Sequence, residues 1–159
     1  MKALFFSTAG FLPRSRKTGW TAPFALLIAS AGFLIATPAE TLPPEVTGER
    51  NPGKRSEIAI DLADKALDQA RSFYQSGDTA RGESQLDLVG TLADECFSSA
   101  EASHKAKYFK HDEMKVSALA RRVRSFMDDL GYEQRDKARR LASHLDEIHD
   151  KLLAGVMGK

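Results

Sequence analysis

The fold of this chain is decided by residues Ile58–Ala100, IAIDLADKALDQARSFYQSGDTARGESQLDLVGTLADECFSSA. The apolar residues recur every three or four positions on both sides of a break at Ser76, Gly77 and Asp78, which is the spacing of one face of an α-helix. Gly77 suits the left-handed residue that ends a helix because it has no Cβ, and Asp78 suits the N-cap of the next helix. The stretch therefore predicts two helices folded into a hairpin.

The helical periodicity continues through the rest of the chain. The first two helices are expected over residues 56–76 and 79–102, and the polar, basic residues 103–111 form either a loop or a continuation of the second helix. A third helix is expected from Asp112 to Gly131, and a fourth from about Glu133 onward. No segment alternates with the two-residue period of a strand, so no sheet is predicted. The chain is predicted to be all-α, a small antiparallel four-helix bundle of two helical hairpins within residues 56–157.

Two short similarities accompany this pattern. The first hairpin resembles a single tetratricopeptide unit at Ala70, Tyr74 and Gly82, but the chain has no second tandem unit and no closing proline, so the family is not assigned. The motif RSFY begins at Arg71 and RSFM begins at Arg124, each shortly before a glycine. These motifs indicate either an internal duplication or the chance similarity that amphipathic helices share.

The N-terminus has the order of a secretory signal. Basic residues precede an apolar run over residues 20–36, and small residues follow up to Ala39. We therefore predict a signal peptide over residues 1–39, cleaved before Glu40, and an exported protein, periplasmic or secreted. The alternatives are an uncleaved N-terminal membrane anchor, for which the apolar run is at the lower length limit, and a buried helix of a cytosolic fold. Residues 40–55, rich in proline and glycine, are predicted to be a flexible linker.

The charge is nearly balanced overall but unevenly divided. Residues 40–103 contain 13 acidic and 6 basic residues, whereas residues 104–159 contain 9 acidic and 13 basic residues. Opposite charges let the two hairpins attract each other or a second copy of the chain, so a protein partner or self-association is expected. Arginines near the turn between the third and fourth helices could form a basic patch for an anionic envelope surface, while export and the lack of a recognition motif argue against nucleic acid. The arginines of this patch are Arg121, Arg122, Arg124, Arg135, Arg139 and Arg140.

Two acid–histidine pairs are candidate metal ligands. Glu101 and His104, like Asp146 and His149, are three residues apart, so each pair shares a helix face and could chelate one ion. A helical di-iron centre would need further carboxylates at core positions, which the pattern does not supply. A looser surface site for zinc, copper or nickel is the more plausible form. Further ligands of such a site would be His111 and His144.

The sequence contains no recognisable catalytic motif. Its single cysteine, Cys96, excludes an intramolecular disulfide and is expected to be buried and inert, with an intermolecular disulfide as the alternative. The chain has no phosphate loop, nucleophile motif, zinc-protease motif or calcium loop, so neither a catalytic residue nor a cofactor is predicted. The sequence favours a structural or protein-interaction module of the cell envelope that is not an enzyme. An envelope metal-binding or metal-sensing protein is the alternative.

Overall fold

The computed structural model describes residues 42–158, and the regular structure within them is entirely helical. The predicted all-α fold is confirmed for this part of the chain, where four long helices pack against each other. The predicted signal peptide lies outside the described residues. The helices are α1 (Pro44–Thr47), α2 (Pro52–Gln75), α3 (Thr79–Ser103), α4 (Ala106–Asp129) and α5 (Arg135–Met157), with a 3-10 turn at Tyr132–Gln134 before α5.

The turn between α2 and α3 has the predicted chemistry. Gly77 has a φ of 82°, in the left-handed region. The Asp78 backbone N–H donates to the Phe73 carbonyl at 2.9 Å, which is the long hydrogen bond of a Schellman C-cap. The Asp78 carboxylate accepts a hydrogen bond from the Arg81 N–H at 3.2 Å and so caps α3. The glycine stop and the aspartate N-cap are both confirmed.

Helix α2 begins at Pro52, four residues before the predicted start at Ser56. Proline is favoured at the first helical position because the N–H that it lacks would have no partner within the helix. The Asn51 side chain caps this end by accepting hydrogen bonds from the backbone N–H groups of Gly53 and Lys54, at 3.1 and 3.4 Å. Pro52, which lies in the predicted flexible linker, therefore starts a helix.

Part of the predicted flexible linker, residues 40–55, is helical. Helix α1 begins at Pro44 for the same reason as α2, and its Val46 is fully buried in the hydrophobic core. Residues 44–47 and 52–55 of the predicted linker are therefore helical, whereas residues 42–43 and 48–51 are not. Burial of Val46 explains the difference, because it holds the turn against the core.

The polar stretch over residues 103–111 is divided by a sharp break. Helix α3 ends at Ser103, His104 takes the left-handed conformation with a φ of 52°, and α4 begins at Ala106. Helix α4 thus starts six residues before the predicted Asp112. Tyr108 and Phe109 are buried, so the early turn of α4 packs against the rest of the protein despite its basic neighbours.

The four long helices form two antiparallel hairpins, hairpin 1 (α2 and α3) and hairpin 2 (α4 and α5). In hairpin 1, Arg55 near the start of α2 donates a hydrogen bond to Ser99 near the end of α3, at 2.8 Å. In hairpin 2, Glu113 near the start of α4 lies 2.8 Å from His149 near the end of α5. These pairs join opposite ends of consecutive helices, as an antiparallel hairpin requires.

The two hairpins stack with corresponding helices side by side. Helix α2 lies against α4 and α3 against α5, whereas within the described residues α2 does not contact α5. Asp61 pairs with Lys115 and Asp68 pairs with Arg122, in both cases 54 residues along the chain, so α2 and α4 run in the same direction. Ion-paired residues of α3 and α5 are likewise 50 residues apart. Consecutive helices within each hairpin are antiparallel, and the facing helices of different hairpins run parallel.

The core draws side chains from all four long helices. Helix α2 contributes mainly alanines, which let its neighbours approach closely because interaxial distance depends on the side chains at the contact. The other helices contribute larger side chains that fill the space between the hairpins. The fully buried leucines are Leu67, Leu86, Leu92, Leu119, Leu145 and Leu152.

An aromatic ring packs against each of three helical glycines in the described residues. A Cβ at any of these positions would lie 2.0–2.6 Å from the nearest ring atom, far closer than van der Waals contact allows. The pairs are Gly53 with Tyr108, Gly82 with Tyr74, and Gly155 with Phe109. Gly90 in α3 differs from them, since a Cβ there would lie 3.6 Å from Leu141 Cδ1, an ordinary contact.

Candidate functional site

The first predicted metal pair lies at the end of α3. His104 is the C-cap of the helix, and its backbone N–H donates to the Glu101 carbonyl at 3.1 Å. Both residues are exposed, and they line a pocket of about 380 Å³ together with Phe97 and Lys151. The contact that joins them is therefore a backbone hydrogen bond, and the basic residue Lys151 lines the same pocket.

In the second predicted metal pair, Asp146 and His149 each contact a different partner. The Asp146 carboxylate pairs with Arg124 of α4. The His149 ring lies 2.8 Å from a Glu113 oxygen through Nε2 and 3.3 Å from an Asp150 oxygen through Nδ1. Among residues 42–158, no group of three or more histidine, cysteine, aspartate or glutamate residues is placed to hold one metal ion.

The two remaining histidines also face carboxylates. His144 Nε2 lies 2.9 Å from an Asp94 oxygen across the two hairpins, and His111 Nδ1 lies 2.9 Å from an Asp112 oxygen. Each of these two candidate metal ligands therefore already has an acidic partner within the described part of the chain.

The predicted basic patch is largely neutralised. Four of its six arginines are held by carboxylates or backbone carbonyls: Arg122, Arg124, Arg135 and Arg139. Arg121 and Arg140 are the two whose side chains form no ion pair or hydrogen bond with another described residue. They lie on different helices and line different pockets.

The uneven charge of the sequence appears at the contact between the hairpins. In the described region, every ion pair that joins the two hairpins takes its acid from hairpin 1 and its base from hairpin 2. Each pair is at least partly exposed and contributes at most about 1 kcal/mol, so the pairs set the alignment of the hairpins more than their stability. The pairs are Asp61–Lys115, Asp64–Arg122, Asp68–Arg122, Asp87–Lys137 and Asp94–His144.

A buried polar cluster lies where α2, α3 and α4 meet. Asp112 is fully buried, and its Oδ2 atom has no hydrogen-bond partner. Burial raises the pKa of Asp112, while the nearby His111 and Ser56 side chains act in the opposite direction. Cys96 is buried as predicted, and burial, reinforced by the neighbouring Asp112, raises the pKa of its thiol well above the ordinary value. The thiol is therefore neutral and closed to solvent, which is the opposite of a reactive cysteine.

The raised pKa of Asp112 predicts a pH-dependent contribution to stability. A folded-state pKa above the unfolded value means that the contribution is fully present below the unfolded pKa and is lost as pH rises through the folded pKa. We expect the free energy of unfolding of the wild type, relative to that of Asp112→Asn, to rise as pH is lowered from 7 to 4. Urea unfolding at several pH values measures this difference. The exposed Asp128→Asn is the matched control, and a pH-independent difference for Asp112→Asn would contradict the prediction.

An open groove of about 460 Å³ lies between the parallel helices α3 and α5. Leu86 and Leu141, both buried, form its floor together with Gly90. The remaining lining residues are polar or charged: Asp87, Thr91, Asp94, Lys137, Arg140 and His144. The groove is therefore a short apolar strip bordered by charges.

Sequence reasoning did not identify this groove. Gly90 fits the helical pattern of α3 as one more small residue, and its position opposite Leu141 depends on the parallel stacking of the hairpins. The one available signal was a glycine in a helix interior, where glycine is unfavourable compared with alanine. The groove is the candidate site that the structure adds.

No protein-family model, curated protein or solved structure matches this chain. Within residues 42–158, no helix is both long enough and apolar enough to cross a bilayer.

Proposed function

We propose that this chain is an exported helical protein that acts as a protein-interaction or structural module of the cell envelope. Export is supported by the order of basic, apolar and small residues over residues 1–39. Cleavage between Ala39 and Glu40 would leave every described residue in the mature product.

The interaction role is supported by the contrast between the polar side chains, which pair with each other or are buried, and the open groove. The charged residues between the hairpins hold helices together, and the buried Asp112 and Cys96 are closed to solvent. The groove between α3 and α5, by contrast, is open and unfilled. Stacked helical hairpins present such grooves between parallel neighbours, and these surfaces suit extended partner segments. In this proposal the protein is a bundle of two stacked hairpins, and it displays the groove between α3 and α5 to its partner.

Crosslinking in the native cells tests both parts of the proposal. The full chain is produced there with a C-terminal tag, treated with a lysine-reactive crosslinker and fractionated. We expect a processed chain that begins at Glu40, in the envelope or secreted fraction, in discrete crosslinked species larger than the monomer.

Two outcomes would contradict it. An unprocessed chain in the cytosol would overturn export. A processed chain that stays monomeric after crosslinking would overturn the interaction role.

A further inference from the structure

Gly90 is the helical glycine that the packing of the fold does not require. Gly82, eight residues earlier in the same helix, faces the Tyr74 ring, and a Cβ there would lie 2.6 Å from that ring. At Gly90 a Cβ would make only an ordinary contact with Leu141. Glycine weakens a helix interior compared with alanine, so α3 gives up stability at the position where a side chain would fill the floor of the groove. A glycine on a groove floor lets the backbone of a bound molecule approach closely.

The groove has the length of a short stretch of extended chain. Its lining runs from Asp87 to Asp94 on α3 and from Lys137 to His144 on α5. Seven residues of helix rise about 10 Å, which is the span of about three residues in an extended conformation. The Thr91 hydroxyl donates to the Asp87 carbonyl at 3.2 Å, within the wall of the groove.

Arg140 differs from the other charged residues that line the groove, because its side chain has no partner. Asp87 forms an ion pair with Lys137, and His144 Nε2 lies 2.9 Å from an Asp94 oxygen. The Arg140 side chain lines the same groove without an ion pair or hydrogen bond to another described residue. A free guanidinium group is suited to a carboxylate, which it can bind through two parallel N–H donors.

We propose that the groove between α3 and α5 binds an extended acidic peptide segment of a protein partner. A small residue of the segment packs over Gly90 between Leu86 and Leu141, and a neighbouring carboxylate pairs with Arg140. This inference rests on the proposed interaction function and adds to it a location and a ligand chemistry.

The test uses two labelled hexapeptides with the full chain at low ionic strength. One peptide is three repeats of alanine-glutamate, and the matched peptide is three repeats of alanine-glutamine. Fluorescence anisotropy measures binding, and nuclear magnetic resonance of the ¹⁵N-labelled chain locates it. We expect the acidic peptide to bind up to about fivefold more tightly, as one ion pair allows, and to shift the amide signals of Gly90, Thr91 and Arg140.

Three variants decide whether the groove is the site. We expect Arg140→Gln to remove the preference for the acidic peptide and Gly90→Leu to abolish its binding by filling the floor. Arg121→Gln removes the other unpaired arginine of the predicted patch, on α4, and should leave binding unchanged. Thermal melts confirm that each variant is folded, and Arg140→Gln, at an exposed position, keeps the test valid if Gly90→Leu does not fold.

The outcomes separate this inference from the proposed function. Equal binding of the two peptides, a preference for the acidic peptide that survives Arg140→Gln, or no binding of either peptide would overturn the groove as an acidic-peptide site. Crosslinked species in the envelope fraction that persist in a folded Gly90→Leu chain would do so as well, and would leave the interaction role standing.

Discussion

Leu145→Ala is expected to lower the free energy of unfolding by about 2–5 kcal/mol, among the largest losses that a single core substitution causes. Leu145 lies on α5 and is fully buried in the hydrophobic core. Removing its side chain loses the free energy of burying it and leaves a cavity that the surrounding helices fill only in part. Urea unfolding of the full chain, followed by circular dichroism, measures the loss.

Leu153→Ala is the matched control on the same helix. Leu153 is 37% exposed, so its truncation removes less buried surface and should cost well under half as much. Equal losses for the two variants would contradict the placement of Leu145 in the core.

Two glycine-to-alanine changes in α3 are expected to act in opposite directions. Gly82→Ala introduces a Cβ 2.6 Å from the Tyr74 ring. That ring also packs against the buried Phe126 of hairpin 2, with ring centroids 5.4 Å apart, so its displacement disturbs the contact between the hairpins. Overpacking of this kind costs about 1–3 kcal/mol, which exceeds the gain from replacing glycine in a helix.

Gly90→Ala is expected to raise the free energy of unfolding by about 0.5–1 kcal/mol, because the helix gains propensity and the new Cβ meets only an ordinary contact with Leu141. Thermal and urea unfolding of Gly82→Ala and Gly90→Ala, side by side, measure both signs. A loss at Gly90 as large as that at Gly82 would show that the fold, and not the groove, requires the glycine.

The features that the sequence predicted correctly are local ones. The turn at Gly77 and Asp78 depends on the conformations and hydrogen bonds of adjacent residues, so the chain itself carries the signal. The burial of Cys96 follows from its place on the apolar face of one helix. Pro44 and Pro52, which lie in the predicted linker, start helices. Proline disfavours a helix interior but favours the first helical position, and the sequence pattern does not distinguish these two cases.

The features that the sequence did not predict depend on side chains of neighbouring helices. The three-residue spacing of Asp146 and His149 places them on one face, but the neighbouring α4 supplies Arg124 to the first and Glu113 to the second. The unequal charge of the two halves was visible, whereas the partner of each acid depends on the parallel alignment of the hairpins. Arg140 stands out as an unpaired cation only after those partners are known.

The parallel stacking of the hairpins has a consequence for how this architecture can grow. Hairpin 2 follows hairpin 1 by a shift of about fifty residues along the chain, and the shift repeats at several ion pairs. A ring of four helices closes on itself, whereas units related by translation leave two unlike ends. A further hairpin added at either end would extend the stack without rearranging the existing contacts, since each unit contacts only its neighbours.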